Sequence, residues 1–163
     1  MKNVNVWIQN FLETDEKLVV FCTHKFVIEE LMEEFKEIAV KIDGSVTGEN
    51  RQKAVDEFQT NDKIRLFVGN VQAAGVGITL TAASNLVFIE LGWSPMMHDQ
   101  AEDRIHRIGQ KNSVMIYYLL AANTIEEKIA KLLDSKRKVV DAILDGVETE
   151  QASLLSELMK IYE

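Results

Sequence analysis

The chain has 163 residues, which suits one domain, and its 47% hydrophobic and 27% charged residues allow a core beneath an ordinary polar surface. A formal net charge of −8 argues against a surface that is basic throughout, although a local phosphate-binding groove is compatible with it. The single cysteine, Cys22, cannot form a disulfide within the chain, and no stretch has the pattern of a membrane span or a signal peptide, so we expect a cytoplasmic location and no membrane partner.

Strand and helix patterns alternate along the chain. Helical spacing of apolar residues predicts helices after the first strand, over 51–59 and over 100–109, and the single proline, Pro95, is expected in a loop. Such alternation predicts an α/β fold of three layers, with a mostly parallel sheet covered by helices on both faces. Short apolar runs predict its five strands at residues 17–23, 39–43, 64–68, 86–90 and 114–120.

Two further helices are predicted towards the end of the chain. Thr124 and Glu127 have the spacing of a capping box, and an apolar face follows as far as Gly146, which is typical of a helix stop. A last amphipathic segment then carries four apolar residues, Leu154, Leu155, Leu158 and Ile161. We therefore expect a domain over residues 1–146 and a C-terminal amphipathic helix extension over residues 147–163, which either folds back or docks elsewhere.

Residues 100–110 combine basic and apolar positions in an informative way. On a helix, Gln100, Arg104 and Arg107 lie on one narrow stripe. A neighbouring stripe, expected to pack, carries Ala101, Ile105 and Ile108. Two guanidiniums beside an amide suit a multiply charged anion such as a nucleotide γ-phosphate, because each fork can bind oxygens bidentately. The alternative is a salt-bridged surface helix, since carboxylates occupy positions 102 and 103.

The predicted carboxyl ends of the strands are rich in hydroxyls, amides and glycines. Thr23 and His24 follow the first strand, and Asn70 follows the third, with Gly75 and Gly77 downstream. Ligands of open α/β sheets bind at these ends, and small residues let backbone N–H groups approach a phosphate. A tight turn is the alternative for the two glycines, and a polar strand cap is the alternative for the histidine.

Several kinds of chemistry lack the residues that they need. No histidine has a partner at metal-ligand spacing, so we expect no metal site. The chain contains neither the glycine-rich Gly-Lys-Ser/Thr loop of P-loop enzymes nor an apolar strand that ends in Asp-Glu. It offers groups that stabilise negative charge and nothing that would activate a nucleophile.

Residues 100–110 read Gln-Ala-Glu-Asp-Arg-Ile-His-Arg-Ile-Gly-Gln, which resembles helicase motif VI in its Swi/Snf form. Residues 17–25 resemble motif IV and residues 68–83 resemble motif V, in the same order as in that family. The chain therefore resembles the C-terminal RecA-like lobe of a Swi/Snf-like ATPase of superfamily 2, and is most similar to the annealing-helicase branch. It departs from the family in motif V, where Asn70, Val71 and Gln72 replace basic and hydroxyl residues.

The resemblance implies that this lobe and a first RecA-like lobe clasp ATP between them. Arg107 would be the arginine finger and Arg104 a second γ-phosphate contact. Gln100, Gly75 and Gly77 would lie against the nucleotide. ATP and Mg²⁺ would be held mainly by the first lobe, which is absent here, so that this chain is half of an ATP hydrolase and inactive alone because the Walker A and Walker B motifs are missing.

The resemblance also implies a DNA partner. Thr23, His24 and Asn70 would contact the backbone of DNA, which we expect to be double-stranded, in a DNA-associated intracellular protein. A start at Met1 without the first lobe indicates either a chain cut from a longer protein or a natural fragment. One alternative is a stand-alone RecA-like module that binds protein or DNA without catalysis. Another is a receiver-type signalling domain, although Asp43 lacks the partner carboxylates that such a domain needs.

Overall fold

The computed structural model describes residues 1–74, 77–91, 95–121, 127–131 and 133–135. Its centre is a parallel sheet of five strands in the order β2-β3-β1-β4-β5. The strands are β1 (Leu18–Cys22), β2 (Ala39–Ile42), β3 (Leu66–Asn70), β4 (Asn85–Phe88) and β5 (Met115–Tyr118). Each lies within or overlaps one of the five predicted apolar runs, so the predicted parallel sheet is confirmed.

Helices cover both faces of this sheet. They are α1 (Lys2–Phe11), α2 (Lys25–Glu34), α3 (Gly48–Thr60), α4 (Val71–Ala74) and α5 (Pro95–Glu102). Apolar side chains of α1 and α2 join one core cluster, and those of α3, α4 and α5 join the cluster on the opposite face. The central strand β1 contributes to both clusters and all five of its residues are fully buried, which explains its unbroken apolar run. The helix α1 was not among the predicted elements.

The direction in which the chain leaves each strand defines a crevice beside β1. After β1 it enters α2 on one face, whereas after β3 and β4 it enters α4 and α5 on the other face. Since all strands are parallel, their carboxyl ends lie at one edge of the sheet, and ligands of such sheets bind where the connections diverge. The carboxyl end of β1, at Thr23 and His24, therefore lies at this switch point.

The predicted helix over 100–109 is wrong in its bounds. Helix α5 begins at Pro95, which was expected in a loop, and proline suits a first helical turn because its missing N–H has no partner there anyway. The helix ends at Glu102, and residues 103–109 form successive turns. The expected stripes therefore do not exist beyond Glu102. Ala101 and Ile105 are buried as expected, but Ile108 is fully exposed.

The end of the chain is described only in part. Residues 127–131 and 133–135 are helical, as the pattern after the capping box predicts. Thr124, the expected boundary at residue 146 and the amphipathic extension over 147–163 lie outside the described residues. Within the described part of the chain, no helix has the length and apolarity needed to cross a membrane.

Candidate functional site

Glu90 organises the switch point at the carboxyl end of β1. Its Oε2 accepts hydrogen bonds from the backbone N–H groups of Thr23 and His24 at 2.8 and 2.9 Å. Its Oε1 lies 2.5 Å from Nδ1 of His24. The carboxylate thus fixes the turn between β1 and α2, and His24, whose side chain is 63% exposed, extends from that turn into solvent.

Asn70 joins the ends of β1 and β3. Its Nδ2 donates to the backbone carbonyl of Thr23 at 2.6 Å, and its Oδ1 accepts from the N–H groups of Gln72 and Ala73. These bonds begin α4 and hold β3 against the turn after β1. We call Thr23, His24, Asn70 and Glu90 the strand-end cluster. Three of its members were predicted as site residues, and the structure brings them together.

The polar atoms of the strand-end cluster differ in their access to a ligand. The Thr23 hydroxyl is buried and makes no hydrogen bond, and the Asn70 amide is engaged with the backbone. The exposed polar group is the His24 ring. Thr23 and Asn70 therefore shape this edge of the sheet, and the imidazole of His24 is the group of the cluster that a ligand can reach.

The two predicted arginines lie in the turns that follow α5, residues 103–110, which we call the arginine loop. Arg104 is half-buried, and its Nε donates to the Gln100 carbonyl at 2.8 Å. Arg107 is exposed, and its Nη1 donates to the hydroxyl of Thr79 at 2.8 Å and to the carbonyl of Ile78 at 3.3 Å. A guanidinium has five N–H donors, so these two bonds anchor Arg107 while using only Nη1.

The arginine loop is tied to residues 77–80, within the segment that resembles motif V. The N–H of Leu80 donates to the backbone carbonyl of Arg104 at 2.8 Å. Gly77, with φ of +74°, lies at the exposed start of the same segment, in a conformation that glycine adopts without strain. The structure thus brings Gly77, Arg104 and Arg107 into one region. Gly75 lies outside the described residues.

Gln100 stands near the end of α5 with its side chain exposed, and it reaches Arg104 through its backbone carbonyl. Arg104 and Arg107 do not continue the helix that carries Gln100, because α5 ends at Glu102. The expected constellation of two guanidiniums and an amide on one stripe is therefore replaced by a turn that holds the arginines at different depths.

Gln110 closes the arginine loop. Its Nε2 donates to the carbonyl of Ala83 at 2.7 Å, and its Oε1 accepts from the N–H groups of Lys111 and Asn112 at 2.9 and 3.0 Å. One half-buried amide therefore fastens the end of the loop to the residues that lead into β4. This role follows from geometry that the local sequence pattern does not contain.

Arg51 supplies a further link near the strand ends. It lies on α3, and its Nη2 donates to the carbonyl of Ala73 in α4 at 2.7 Å. Because Asn70 holds the other end of α4, this short helix is secured at both ends. The sequence predicted a helix that begins at Arg51 but gave no indication of this partner.

Asp43, at the end of β2, is buried and accepts hydrogen bonds from the backbone N–H and hydroxyl of Ser45. Burial by itself raises the pKa of this carboxyl, but the Ser45 bonds and Lys41, whose Nζ lies 3.1 Å away, outweigh it and lower the pKa to about 2. Asp43 is thus a charged structural group, engaged by its own turn.

Cys22 ends β1 below the strand-end cluster. Burial, together with the nearby Glu90 carboxylate, raises the pKa of its thiol to about 12. A thiol that stays protonated is a poor nucleophile and a poor metal ligand. Across the described ranges of the chain, no three His, Cys, Asp or Glu side chains are grouped as metal ligands would be. The chemistry on offer is therefore hydrogen bonding and charge stabilisation by exposed cationic and imidazole groups.

The candidate site consequently has two parts joined by one segment. The strand-end cluster begins that segment at Asn70, and the arginine loop is bonded to its end at residues 78–80. Sequence reasoning found the arginines and His24 but missed Glu90, Gln110 and Arg51 as organising residues. The only available signal for Glu90 was a carboxylate at the end of an apolar strand.

Comparisons with known proteins identify the family to which the chain belongs. Residues 3–109 match the family described as the helicase conserved C-terminal domain. The mouse DNA annealing helicase and endonuclease ZRANB3 is 40% identical over 147 residues, 88% of this chain. The SWI/SNF-related matrix-associated actin-dependent regulator of chromatin subfamily A-like protein 1 of Xenopus tropicalis is 38% identical over 144 residues, 86% of this chain.

A solved structure gives the same result for the fold. The C-terminal part of the Fun30 ATPase domain superposes with a TM-score of 0.73 at 29% identity, covering 81% of this chain and 44% of that chain. The predicted RecA-like architecture is therefore confirmed. The chain spans 14% of the length of the mouse relative and 15% of the Xenopus relative.

Proposed function

The chain belongs to the helicase conserved C-terminal domain family, in its Swi/Snf-like branch, and from that premise we propose that it is the second motor lobe of an ATP-dependent DNA translocase. The observation that carries the proposal is the anchored but exposed guanidinium of Arg107. Relatives several times longer than this chain leave ample length for a first lobe. We propose that this first lobe is the partner across the nucleotide.

The arginine loop fits the triphosphate of ATP. In the proposed complex Arg107 stabilises the charge that develops on the transferred phosphoryl group. Arg104, three residues earlier and held by the Gln100 carbonyl, supplies a second cation. Gly77 exposes backbone without a side chain beside this loop, and we propose that it lies near the nucleotide with Gln100 and Gly75. The described residues offer no carboxylate cluster for Mg²⁺, so we assign Mg²⁺ and the phosphate cradle to the first lobe.

The anchoring of Arg107 has a mechanistic consequence. Two bonds from Nη1 fix the end of a long side chain that would otherwise lose considerable rotamer freedom when it meets the nucleotide. The remaining N–H donors are then already oriented when the lobes close. Electrostatic stabilisation depends on such preorganisation, because donors that need no rearrangement act fully in the transition state.

The strand-end cluster fits contact with a DNA backbone. His24 and the adjacent Lys25 are exposed beside the first turn of α2, where backbone N–H groups also favour anions. We propose that His24 contacts phosphate, and that Thr23 and Asn70 hold the main chain in place beneath it. With a net charge of −8 on the chain, binding by this lobe alone should be weak and strongly dependent on salt.

The test is DNA-stimulated ATP hydrolysis by the two-lobe protein, comparing wild type with Arg107→Ala. We expect the variant to lose roughly 10³-fold or more in kcat, the range that a supplied arginine provides in other phosphoryl-transfer enzymes. The matched control is Thr79→Val, which removes one anchor of the guanidinium and keeps the guanidinium itself.

The control should lose far less activity than Arg107→Ala, because the bond from Nη1 to the Ile78 carbonyl persists. Unchanged turnover in Arg107→Ala would refute the arginine-finger assignment and would favour a binding module without catalysis. An equal loss in both variants would make Arg107 a brace of the loop.

A further inference from the structure

Ile108 departs from the pattern that its sequence sets. Two members of its expected apolar stripe, Ala101 and Ile105, are fully buried, whereas Ile108 has 101% of its reference surface exposed. Single exposed apolar residues are common and carry no meaning by themselves. The position of this one, directly after Arg107, is what makes it informative.

The chain on both sides of Ile108 is held in place. Before it, Arg107 donates to the Ile78 carbonyl and the Thr79 hydroxyl. After it, Gly109 turns the chain with φ of +106°, and Gln110 donates to the Ala83 carbonyl. The apolar side chain is thus presented by a braced turn, so that little backbone freedom remains to be lost when it meets a partner.

We propose that the side chain of Ile108 packs against the first RecA-like lobe when the two lobes close on ATP. This inference rests on the proposed function, because that function brings the first lobe against the turn that carries both Arg107 and Ile108. On that lobe, Ile108 fits an apolar pocket beside the nucleotide site. The cations at Arg104, Arg107 and Lys111 around Ile108 favour a pocket with a neutral or acidic rim.

The contact would make closure depend on apolar burial as well as on charge. Full burial of an isoleucine side chain favours the buried state by roughly tenfold to a hundredfold. Because the Ile108 side chain is fully exposed, its replacement leaves the packing of the described part of the lobe intact. The effect is therefore confined to reactions that need both lobes, and it acts on closure rather than on the reacting atoms.

The experiment measures kcat/KM for ATP in the DNA-stimulated reaction of the two-lobe protein with Ile108→Val and Ile108→Thr. Valine and threonine have nearly the same shape, but threonine has a hydroxyl where valine has a methyl. Burial of the side chain in an apolar pocket therefore lowers kcat/KM for the threonine variant and not for the valine variant. We expect Ile108→Val to stay within about twofold of wild type and Ile108→Thr to lose about tenfold. Val6→Thr, at an exposed apolar position on α1, is the matched surface control and should be unchanged.

Two further readouts make the outcomes distinct. The urea midpoint of Ile108→Thr should equal that of wild type, and a lower midpoint would overturn the inference by showing that Ile108 packs inside its own lobe. Equal kcat/KM for the valine and threonine variants would overturn it as well. If Arg107→Ala retains activity, the proposed function fails, whereas a loss in Arg107→Ala with no difference between the two Ile108 variants overturns the apolar contact alone.

Discussion

Replacement of Glu90 tests whether one carboxylate holds the crevice beside β1 together. In Glu90→Ala, the N–H groups of Thr23 and His24 lose a charged acceptor at 2.8 and 2.9 Å. Hydrogen bonds to charged groups contribute about 1.5–3 kcal/mol each, which gives an upper limit of about 6 kcal/mol. Water can reach the exposed N–H of His24, so we expect the free energy of unfolding to fall by about 2–3 kcal/mol.

Two matched variants separate the backbone bonds from the side-chain pair. Glu90→Gln keeps one carbonyl oxygen as acceptor and should cost about 1 kcal/mol. His24→Ala removes the contact of its exposed imidazole with Glu90 and its ring contact with the exposed Phe26, and such surface ion pairs contribute at most about 1 kcal/mol. The expected order of unfolding free energies is therefore wild type, then His24→Ala and Glu90→Gln, then Glu90→Ala.

The measurement is equilibrium urea unfolding followed by circular dichroism. With a slope of about 1–3 kcal/mol per molar urea, a loss of 2 kcal/mol lowers the midpoint by roughly 1 M, which is easily resolved. If Glu90→Ala lies within about 0.5 kcal/mol of wild type, the carboxylate does not hold this turn. If His24→Ala costs as much as Glu90→Ala, the imidazole and not the backbone is its important partner.

Two other polar groups give further predictions. Gln110→Ala should lower the free energy of unfolding by about 1–2 kcal/mol in the same urea assay, because the hydrogen bonds of its side-chain amide with Ala83, Lys111 and Asn112 are lost. An unchanged urea midpoint would show that Gln110 does not fasten the arginine loop. The pKa of Asp43 is about 2 in the folded chain and 3.8 in the unfolded reference, so its stabilisation is present above pH 3.8 and is lost as the pH falls towards 2. Asp43→Asn should therefore be less stable than wild type at pH 7 and should depend less on pH across that interval, and parallel acid-unfolding curves would contradict this reasoning.

The sheet could be predicted because β1 to β4 are buried along their whole length or most of it, whereas β5, at the edge of the sheet, is partly exposed and is recognisable only by its apolar run. The run from Leu18 to Cys22 contains no exposed residue, so its apolar composition follows directly from its central position. The helix over 100–109 could not be bounded in the same way. Its apolar spacing continues to Ile108, yet the chain leaves the helix after Glu102, where bonds to distant residues such as Leu80 and Ala83 take over.

The site shows the same division between local and distant information. Arg104 and Arg107 are recognisable because seven of the eleven positions in residues 100–110 match the pattern Gln-x-x-Asp-Arg-x-His-Arg-x-Gly-Gln of motif VI. Glu90 and His24 are separated by 66 residues, and no spacing rule connects them. What sequence reasoning missed are the long-range hydrogen bonds that fix where each recognised side chain is held.

The strand order also affects how the chain acquires its structure. Leu18 in β1 pairs with Leu66 on one side and with Asn85 on the other, so both neighbours of the central strand come late in the sequence. Such distant pairings slow folding, because a long loop must close before any contact rewards it. During synthesis on the ribosome, both edges of β1 therefore stay unpaired until first β3 and then β4 have emerged. Its exposure to aggregation is greatest in that interval, and a chaperone that shields the region from β1 to β3 would raise the yield of folded domain more than one that acts after β4 has paired.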